Sequence, residues 1–153
     1  MAEEIRVALS IRQPWAYAIL HLGKDRENRT WQNGFTGRLI VHASKTIDQG
    51  AVLWLRSQGY EIPTALPTGA LVGEVTVTGC RRASARALGR SRMPECAWAA
   101  IPGVSDWEEG PYCFELADPE AWENPIRYAG SLGFFTVRFD RTPDDGPLFE
   151  AAK

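Results

Sequence analysis

The chain has 153 residues, of which 44% are hydrophobic and 24% are charged. This size and composition are typical of a soluble domain with one core, and no apolar run is long enough to cross a membrane. The 17 basic and 19 acidic residues give a net charge of −2, which argues against a protein that coats nucleic acid uniformly.

The first elements in the chain are predicted to be a strand and a helix. Val7 to Ile11 is a β-type run, and Pro14 then favours a helix start, because its fixed φ and missing N–H suit the first helical turn. Gly23 ends the predicted helix. Its buried face consists of apolar residues at helical spacing, Trp15, Ala18, Ile19 and Leu22.

The next segment, KDRENRTW at residues 24–31, concentrates polar side chains. If it is extended, Asp25, Glu27, Arg29 and Trp31 lie on one face of a strand. A carboxylate and a guanidinium two residues apart can form a surface ion pair on a solvated edge strand, or both can contact one ligand. The residues by themselves leave both interpretations open.

The rest of the chain predicts one more helix and four more strands. The helix covers residues 47–59, and the strands cover residues 39–43, 70–80, 112–116 and 134–139. Residues 118–122, which contain an Asp-Pro pair, predict a turn or a single helical turn. We expect one domain over residues 1–140, followed by a polar tail over residues 141–153.

Residues 81–92 contain the densest group of basic side chains, with five arginines. Arginine suits bidentate phosphate contacts and stacking on bases, so this stretch is a candidate footprint for RNA or DNA. The alternative is a solvated loop whose charge keeps the protein soluble. Residues 1–100 carry 13 basic and 8 acidic side chains, while residues 101–153 carry 4 and 11, so a basic face is possible despite the acidic sum.

The cysteines and histidines predict no special chemistry. Cys80, Cys96 and Cys113 are odd in number and lack the C-x-x-C spacing, and only two histidines, His21 and His42, accompany them. We therefore expect no disulfide framework, no metal site and no cofactor. The first residues lack a signal-peptide pattern, so we expect a cytoplasmic protein, and we expect a monomer.

Three motifs follow one another along the chain: SIRQPWA at residues 10–16, GKDRENRTW at residues 23–31 and GRLIVHASK at residues 37–45. In this order they resemble the ASCH domain, a family of the PUA-like superfamily, and the likeness covers roughly residues 5–139. The resemblance implies an α+β fold: a PUA-like mixed β-barrel of about six strands, with two or three helices at the barrel ends. It also implies a cleft beside the helix that begins after Gln13.

The first functional hypothesis is that this cleft binds RNA, single-stranded DNA or a modified nucleoside. Cations would contact phosphate, an aromatic ring would stack on a base, and Glu27 or Asn28 would read a base edge. For Trp15, Trp31 and His42, the alternative is a place in the core. The full set of predicted contacts is Gln13, Trp15, Lys24, Asn28, Arg29, Trp31, Arg38, His42, Ser44, Lys45, Arg81, Arg82, Arg86 and Arg90.

The second hypothesis is a hydrolase. Some ASCH proteins remove the acetyl group of N4-acetylcytidine with a lysine, a threonine three residues later and a glutamate, and others are reported to cleave RNA. Lys24 matches that lysine, but Glu27 stands where the threonine would be, so Glu27 would act as a general base and Lys24 would stabilise the oxyanion. An ion pair between the two would instead make Glu27 a poor base. A third hypothesis is a protein-interaction module that uses the acidic residues 106–123.

Overall fold

The computed structural model describes residues 3–88 and 104–141. These residues form six strands and two helices, which confirms the predicted α+β class. The elements are β1 (Glu4–Gln13), α1 (Trp15–His21), β2 (Arg26–Arg29), β3 (Gly37–Ile47), α2 (Gln49–Ser57), β4 (Ala70–Arg82), β5 (Tyr112–Arg127) and β6 (Phe134–Phe139).

The six strands form one mixed sheet in the order β2-β5-β4-β3-β1-β6. β1 is parallel to β3 and antiparallel to β6, while β2 is antiparallel to β5. This arrangement is consistent with the predicted PUA-like fold. The prediction of a closed barrel is wrong, however. Within residues 3–88 and 104–141 the sheet is open, with β2 and β6 as its two edge strands.

The chain divides into two compact units. Of the described residues, unit 1 contains 3–23, 38–75 and 119–141, and unit 2 contains 24–37, 76–88 and 104–118. β4 and β5 run through both units, so that each unit contains one part of each strand. The single domain and its boundary at residue 140 stay predictions, since the chain after Arg141 lies outside the described residues.

Unit 1 contains an apolar cluster built from alternate residues of several strands. Because successive side chains of a strand point to opposite faces, each strand contributes every second residue to such a core. The buried members are Ala8, Ile40, Leu71, Trp122, Val137 and Phe139, against which Ile126, Tyr128 and Phe135 pack.

Of the two helices of unit 1, α1 has the termini that the sequence predicts, and α2 lies within its predicted range of residues 47–59 but is two residues shorter at each end. α1 follows Pro14 and buries Ala16, Ala18 and Ile19, and Gly23 beyond its end has a φ of +75°, which favours glycine. α2 begins after Asp48, whose carboxylate accepts a hydrogen bond from the Ala51 N–H at 3.0 Å.

β5 differs from its prediction. The sequence predicts a strand that ends near Leu116 and a turn at residues 118–122, but β5 continues to Arg127. The turn prediction is therefore wrong. Asp118 adopts a positive φ of +51°, which aspartate tolerates, so the Asp-Pro pair is accommodated without ending the strand. Burial of Trp122 in the core of unit 1 stabilises the continuation.

Neither helix in the described ranges is long and apolar enough to span a lipid bilayer. The longer one, α2, has nine residues, whereas a spanning helix needs about 20. The cytoplasmic location stays a prediction.

Candidate nucleic-acid interface

A compact cluster in unit 2 joins Lys24, Glu27 and Arg29. Glu27 belongs to β2 and lies at the centre of this cluster, and its side chain is only 9% exposed. Lys24 Nζ lies 3.5 Å from Glu27 Oε1, and Arg29 donates to Glu27 Oε2 from Nη2 at 2.8 Å and from Nε at 3.2 Å. Lys24 also donates to the Arg26 carbonyl. One buried carboxylate therefore holds two cations, one on each oxygen.

The pairing of β2 with β5 determines what surrounds this cluster. Glu27 lies opposite Phe114 and Arg29 lies opposite Tyr112. Residues directly opposite on antiparallel strands share a face, so the aromatic rings of β5 lie beside the charged cluster. Trp31 packs edge-on against Phe114 with ring centroids 5.1 Å apart. Arg82 of β4 adds a further cation, since its Cζ lies over the Tyr112 ring, 6.0 Å from the centroid.

We call this set of residues the positive face of unit 2: Lys24, Glu27, Arg29, Tyr112 and Arg82. Three cations are opposed by one carboxylate, which leaves a net charge of +2 within the set. Glu27 and Arg29 share a face of β2, as predicted, while Trp31 lies beyond the end of β2 and packs against Phe114. Asp25 differs, since its carboxylate accepts a hydrogen bond from the Ser105 hydroxyl.

The opposite face of the same strands carries ion pairs, and we call it the ion-pair face: Arg26, Arg81, Glu108 and Glu115. Glu108 is fully buried and accepts from Arg81 Nη2 and, at 2.7 Å, from the Ser84 N–H. Arg26 Nε lies 3.6 Å from Glu108 Oε1. Glu115 lies within 3.8 Å of both arginines. The two positive and two negative charges in the set sum to zero.

Asn28 follows Glu27 in β2, so its side chain lies on the opposite face of the strand, where it forms hydrogen bonds with the segment 107–113. Its Oδ1 accepts hydrogen bonds from the Glu109 and Gly110 N–H groups, both at 3.0 Å, and its Nδ2 donates to the Trp107 carbonyl at 3.0 Å. Burial raises the pKa of the Cys113 thiol, which stays protonated and donates to the same oxygen at 3.4 Å. These contacts give Asn28 a structural role, and its predicted contact with a base edge stays a prediction.

The arginine-rich stretch separates into different environments. Arg81 belongs to the ion-pair face, and Arg82 to the positive face. Arg86 is exposed, in a turn where its backbone N–H donates to the Ser84 hydroxyl at 3.3 Å. Arg90 lies outside the described residues. The sequence treats these arginines as one stretch, either a footprint for nucleic acid or a solvated loop, whereas the structure gives Arg81 and Arg82 different partners in unit 2.

In unit 1, Gln13 and Trp15 lie at the start of α1. Gln13 is buried, donates to the Pro67 carbonyl at 3.0 Å and accepts from the Tyr17 N–H at 2.9 Å, so its amide satisfies one of the first N–H groups of the helix. Trp15 is the first residue of α1 and is half-buried. Gln13 therefore supports the strand-to-helix connection, and the ligand contacts of Gln13 and Trp15 stay predictions.

His42 lies in the interior of unit 1, in agreement with the core interpretation of this residue. Its Nε2 lies 2.7 Å from the Tyr128 carbonyl, which can only accept, so Nε2 carries the proton. Nδ1 then accepts from the Ser10 hydroxyl at 2.8 Å. Burial lowers the pKa of His42, which the hydrogen bond to the Tyr128 carbonyl partly offsets. The neutral ring is the stable form here.

The remaining predicted contacts of unit 1 lie in separate environments. Arg38 pairs with Glu74 at 2.7 Å and with Glu120 at 3.4 Å. Burial alone would raise the pKa of Glu74, but hydrogen bonds and positive charge from Arg38 and Arg6 outweigh it and leave that pKa below its usual value. Ser44 donates to the Thr46 carbonyl at 3.5 Å, and Lys45 is exposed at the end of β3.

The ASCH domain family model matches residues 9–125, about three-quarters of the chain. The chain belongs to the ASCH domain family. The matched range contains every residue of the positive face and of the ion-pair face.

A curated relative supports the same family. Activating signal cointegrator 1 from Homo sapiens is 27% identical over 120 residues, which cover 73% of this chain and 19% of the human protein. The ASCH chain described here thus spans about a fifth of the length of that relative.

Tyr112 is the member of the positive face that the sequence did not single out. The alternation of residues 112–116 predicts a strand, but not which strand lies beside it. Only the register of β2 against β5, with Arg29 opposite Tyr112, brings this ring to the charged cluster.

Proposed function

We propose that this ASCH domain binds RNA or single-stranded DNA, or a nucleotide-like ligand, at the positive face of unit 2. The observation that carries the proposal is the arrangement around Glu27, where one buried carboxylate fixes Lys24 and Arg29 beside exposed Arg82 and the Tyr112 ring. Proteins bind single-stranded nucleic acid with these two kinds of side chain: cations contact the phosphates, and aromatic rings stack on the bases.

Glu27 supports binding because it orients the cations before a ligand arrives. Two long side chains held in one geometry lose less conformational entropy on binding than two mobile ones. Arg29 is the more accessible of the pair, with 24% of its side chain exposed against 4% for Lys24. Arg29 is therefore the proposed phosphate contact, and Lys24 holds Glu27 in place.

The same ion pairs favour binding over hydrolysis. A general base needs an accessible oxygen that is not held by cations, whereas each Glu27 oxygen accepts from a cation. Turnover of N4-acetylcytidine or of RNA above the level of a Glu27→Gln variant would instead support the hydrolase hypothesis.

The test is the affinity for a fluorescein-labelled single strand of roughly ten nucleotides, as RNA and as DNA, measured by anisotropy over a range of salt concentrations. We expect Arg29→Ala to weaken binding about tenfold and to reduce the salt slope by about 0.7, the contribution of one phosphate contact on a single strand. Lys24→Ala should weaken binding with a smaller change of slope, since Lys24 acts through Glu27.

Arg127→Ala is the matched control, because it removes the same charge from an exposed position of β5 in unit 1. Its affinity should stay within about twofold of the original, as expected for a screened charge away from the contact. Equal affinities for the original protein, Arg29→Ala and Lys24→Ala would contradict the proposal.

A further inference from the structure

Tyr112 lies at the centre of the positive face. It is the first residue of β5, its ring is half-buried, and its cross-strand partner is Arg29. The preceding residue is anchored to β4, since the Pro111 carbonyl accepts from the Ala83 N–H at 2.9 Å. The ring is therefore held between two basic strands, with Arg29 on one side and Arg82 on the other.

The distance between Tyr112 and Arg82 is informative. The guanidinium carbon lies over the ring at a distance of 6.0 Å from the ring centroid. Stacked bases follow one another at roughly 3.4 Å, so a base with one neighbour on each side needs about 6.8 Å between those neighbours. Arg82 is exposed and can rise by about 1 Å, because its side chain ends in solvent. After such a movement the two groups would stand at about the separation that an inserted base requires.

We infer that Tyr112 and Arg82 form a slot that accepts one unpaired base, while Arg29 contacts the phosphate next to that base. The inference rests on the proposed function and adds to it a substrate class, single strands with a base that can leave its stack. Aromatic rings and guanidinium planes are the two surfaces on which proteins stack single-stranded bases. Any base has a flat face, so the slot selects for single strands and not for a sequence.

Geometry of the strands supports the joint contact. Neighbouring strands of a sheet lie roughly 4.8 Å apart, so the β2, β5 and β4 positions that carry Arg29, Tyr112 and Arg82 span about 10 Å. That span matches one nucleotide with its flanking phosphate. The slot and the phosphate contact therefore belong to one site within unit 2.

The test uses single strands in which one nucleotide after another lacks its base but keeps its phosphate. With the unaltered protein, we expect the loss of one particular base to weaken binding by about five- to 150-fold, the range measured for stacking contacts. Tyr112→Leu, which keeps the apolar bulk without the flat ring, should weaken binding to the intact strand equally and leave binding to that abasic strand unchanged.

Two further variants and a duplex complete the design. Tyr112→Phe should keep the affinity, and Arg82→Gln should weaken binding to the intact strand more than to the abasic one. Arg86→Gln is the matched control, since Arg86 is an exposed arginine of the same stretch, and it should treat both strands alike. The same strand annealed to its complement should bind more weakly, as RNA and as DNA.

The outcomes separate the slot from the proposed function. If Arg29→Ala weakens binding but no abasic position matters, or if Tyr112→Leu affects intact and abasic strands equally, the slot is wrong and the phosphate site stands. Equal binding of duplex and single strand also overturns the slot. If the unaltered protein binds neither RNA nor DNA, both proposals fail.

Discussion

On one face of the β2–β5 pair, Arg26 and Arg81 lie against the carboxylates of Glu108 and Glu115; on the other, Lys24 and Arg29 share the single carboxylate of Glu27. The first set of charges is balanced, and the second is not. Glu108 is fully buried, so its pairs hold the interior of unit 2 together, whereas Arg82 is exposed and lies over the Tyr112 ring.

This difference shows that the number of arginines near a strand does not indicate a binding surface. What matters is whether the cations of a set outnumber its carboxylates. Lys24 and Arg29 share the one carboxylate of Glu27, so Glu27 keeps a cation when Arg29 contacts a ligand, whereas Arg26 and Arg81 are matched by two carboxylates. A cation that balances a buried acid cannot leave it without exposing an unpaired charge, which is costly in the protein interior. Arg81 and Arg82 are adjacent in the sequence, yet Arg81 pairs with the buried Glu108, while Arg82 lies over the Tyr112 ring and is a proposed ligand contact.

The largest expected effect is on the ion-pair face. Glu108→Ala removes the carboxylate that balances Arg81 and Arg26 and that accepts from the Ser84 N–H. We expect the free energy of unfolding to fall by about 3–5 kcal/mol, as for other broken buried pairs. Denaturant unfolding measures it. Asp106→Ala, an exposed acid of the same unit, should change stability by no more than about 0.5 kcal/mol; a similar loss in both variants would remove the distinction.

The next largest expected effects distinguish the adjacent residues Arg81 and Arg82. Arg81→Gln should lower the free energy of unfolding by about 1–3 kcal/mol, because Glu108 loses a charged hydrogen-bond partner, and should leave the salt slope of nucleic-acid binding unchanged. Arg82→Gln should leave stability within about 0.5 kcal/mol and reduce that slope by less than the value of about 0.7 for a direct phosphate contact, because the Arg82 guanidinium stacks on the base and only its charge acts on the nearby phosphate. Both quantities are measured on both variants, and a reversed pattern would invalidate the assignment of the two faces.

The smallest effect concerns His42 in unit 1, a buried titratable group with a hydrogen bond on each ring nitrogen. Its pKa is lowered by burial, so the unfolded chain binds the proton more readily than the folded protein. Stability is then fully present above the ordinary histidine pKa of about 6.5 and is lost as the pH falls below it, at no more than about 1.4 kcal/mol per pH unit for one proton.

Unfolding of His42→Gln should therefore depend less on pH than unfolding of the original protein between about pH 7 and pH 5. His21→Gln is the comparison variant: burial lowers that pKa as well, so the pH dependence should also fall, but by less, because His21 lies at the exposed end of α1. Binding of nucleic acid should not change in either variant beyond the change in folded fraction. An unchanged pH profile in His42→Gln would mean that His42 does not control acid stability.

The sequence by itself determined the elements that depend on neighbouring residues. Pro14 and Gly23 set the ends of α1, and apolar runs set β1, β3, β4 and β6 close to their observed positions, because helix termini and strand patterns follow from local backbone and side-chain preferences. The spacing of Glu27 and Arg29 also predicted their shared face, since alternation along a strand is local. The motifs around them were enough to indicate the ASCH family.

Only the tertiary structure decided what depends on residues distant in sequence. The register between β2 and β5 places Tyr112 beside Arg29, and the hydrogen-bond partners of Asn28 lie about 80 residues away. Burial of Trp122 stabilises β5 beyond the Asp-Pro pair, where the sequence predicts a turn. The same long-range contacts gave Arg81 a buried acid and Arg82 an aromatic ring. Strand register and burial are collective properties of the folded chain, and neighbouring residues in the sequence do not specify them.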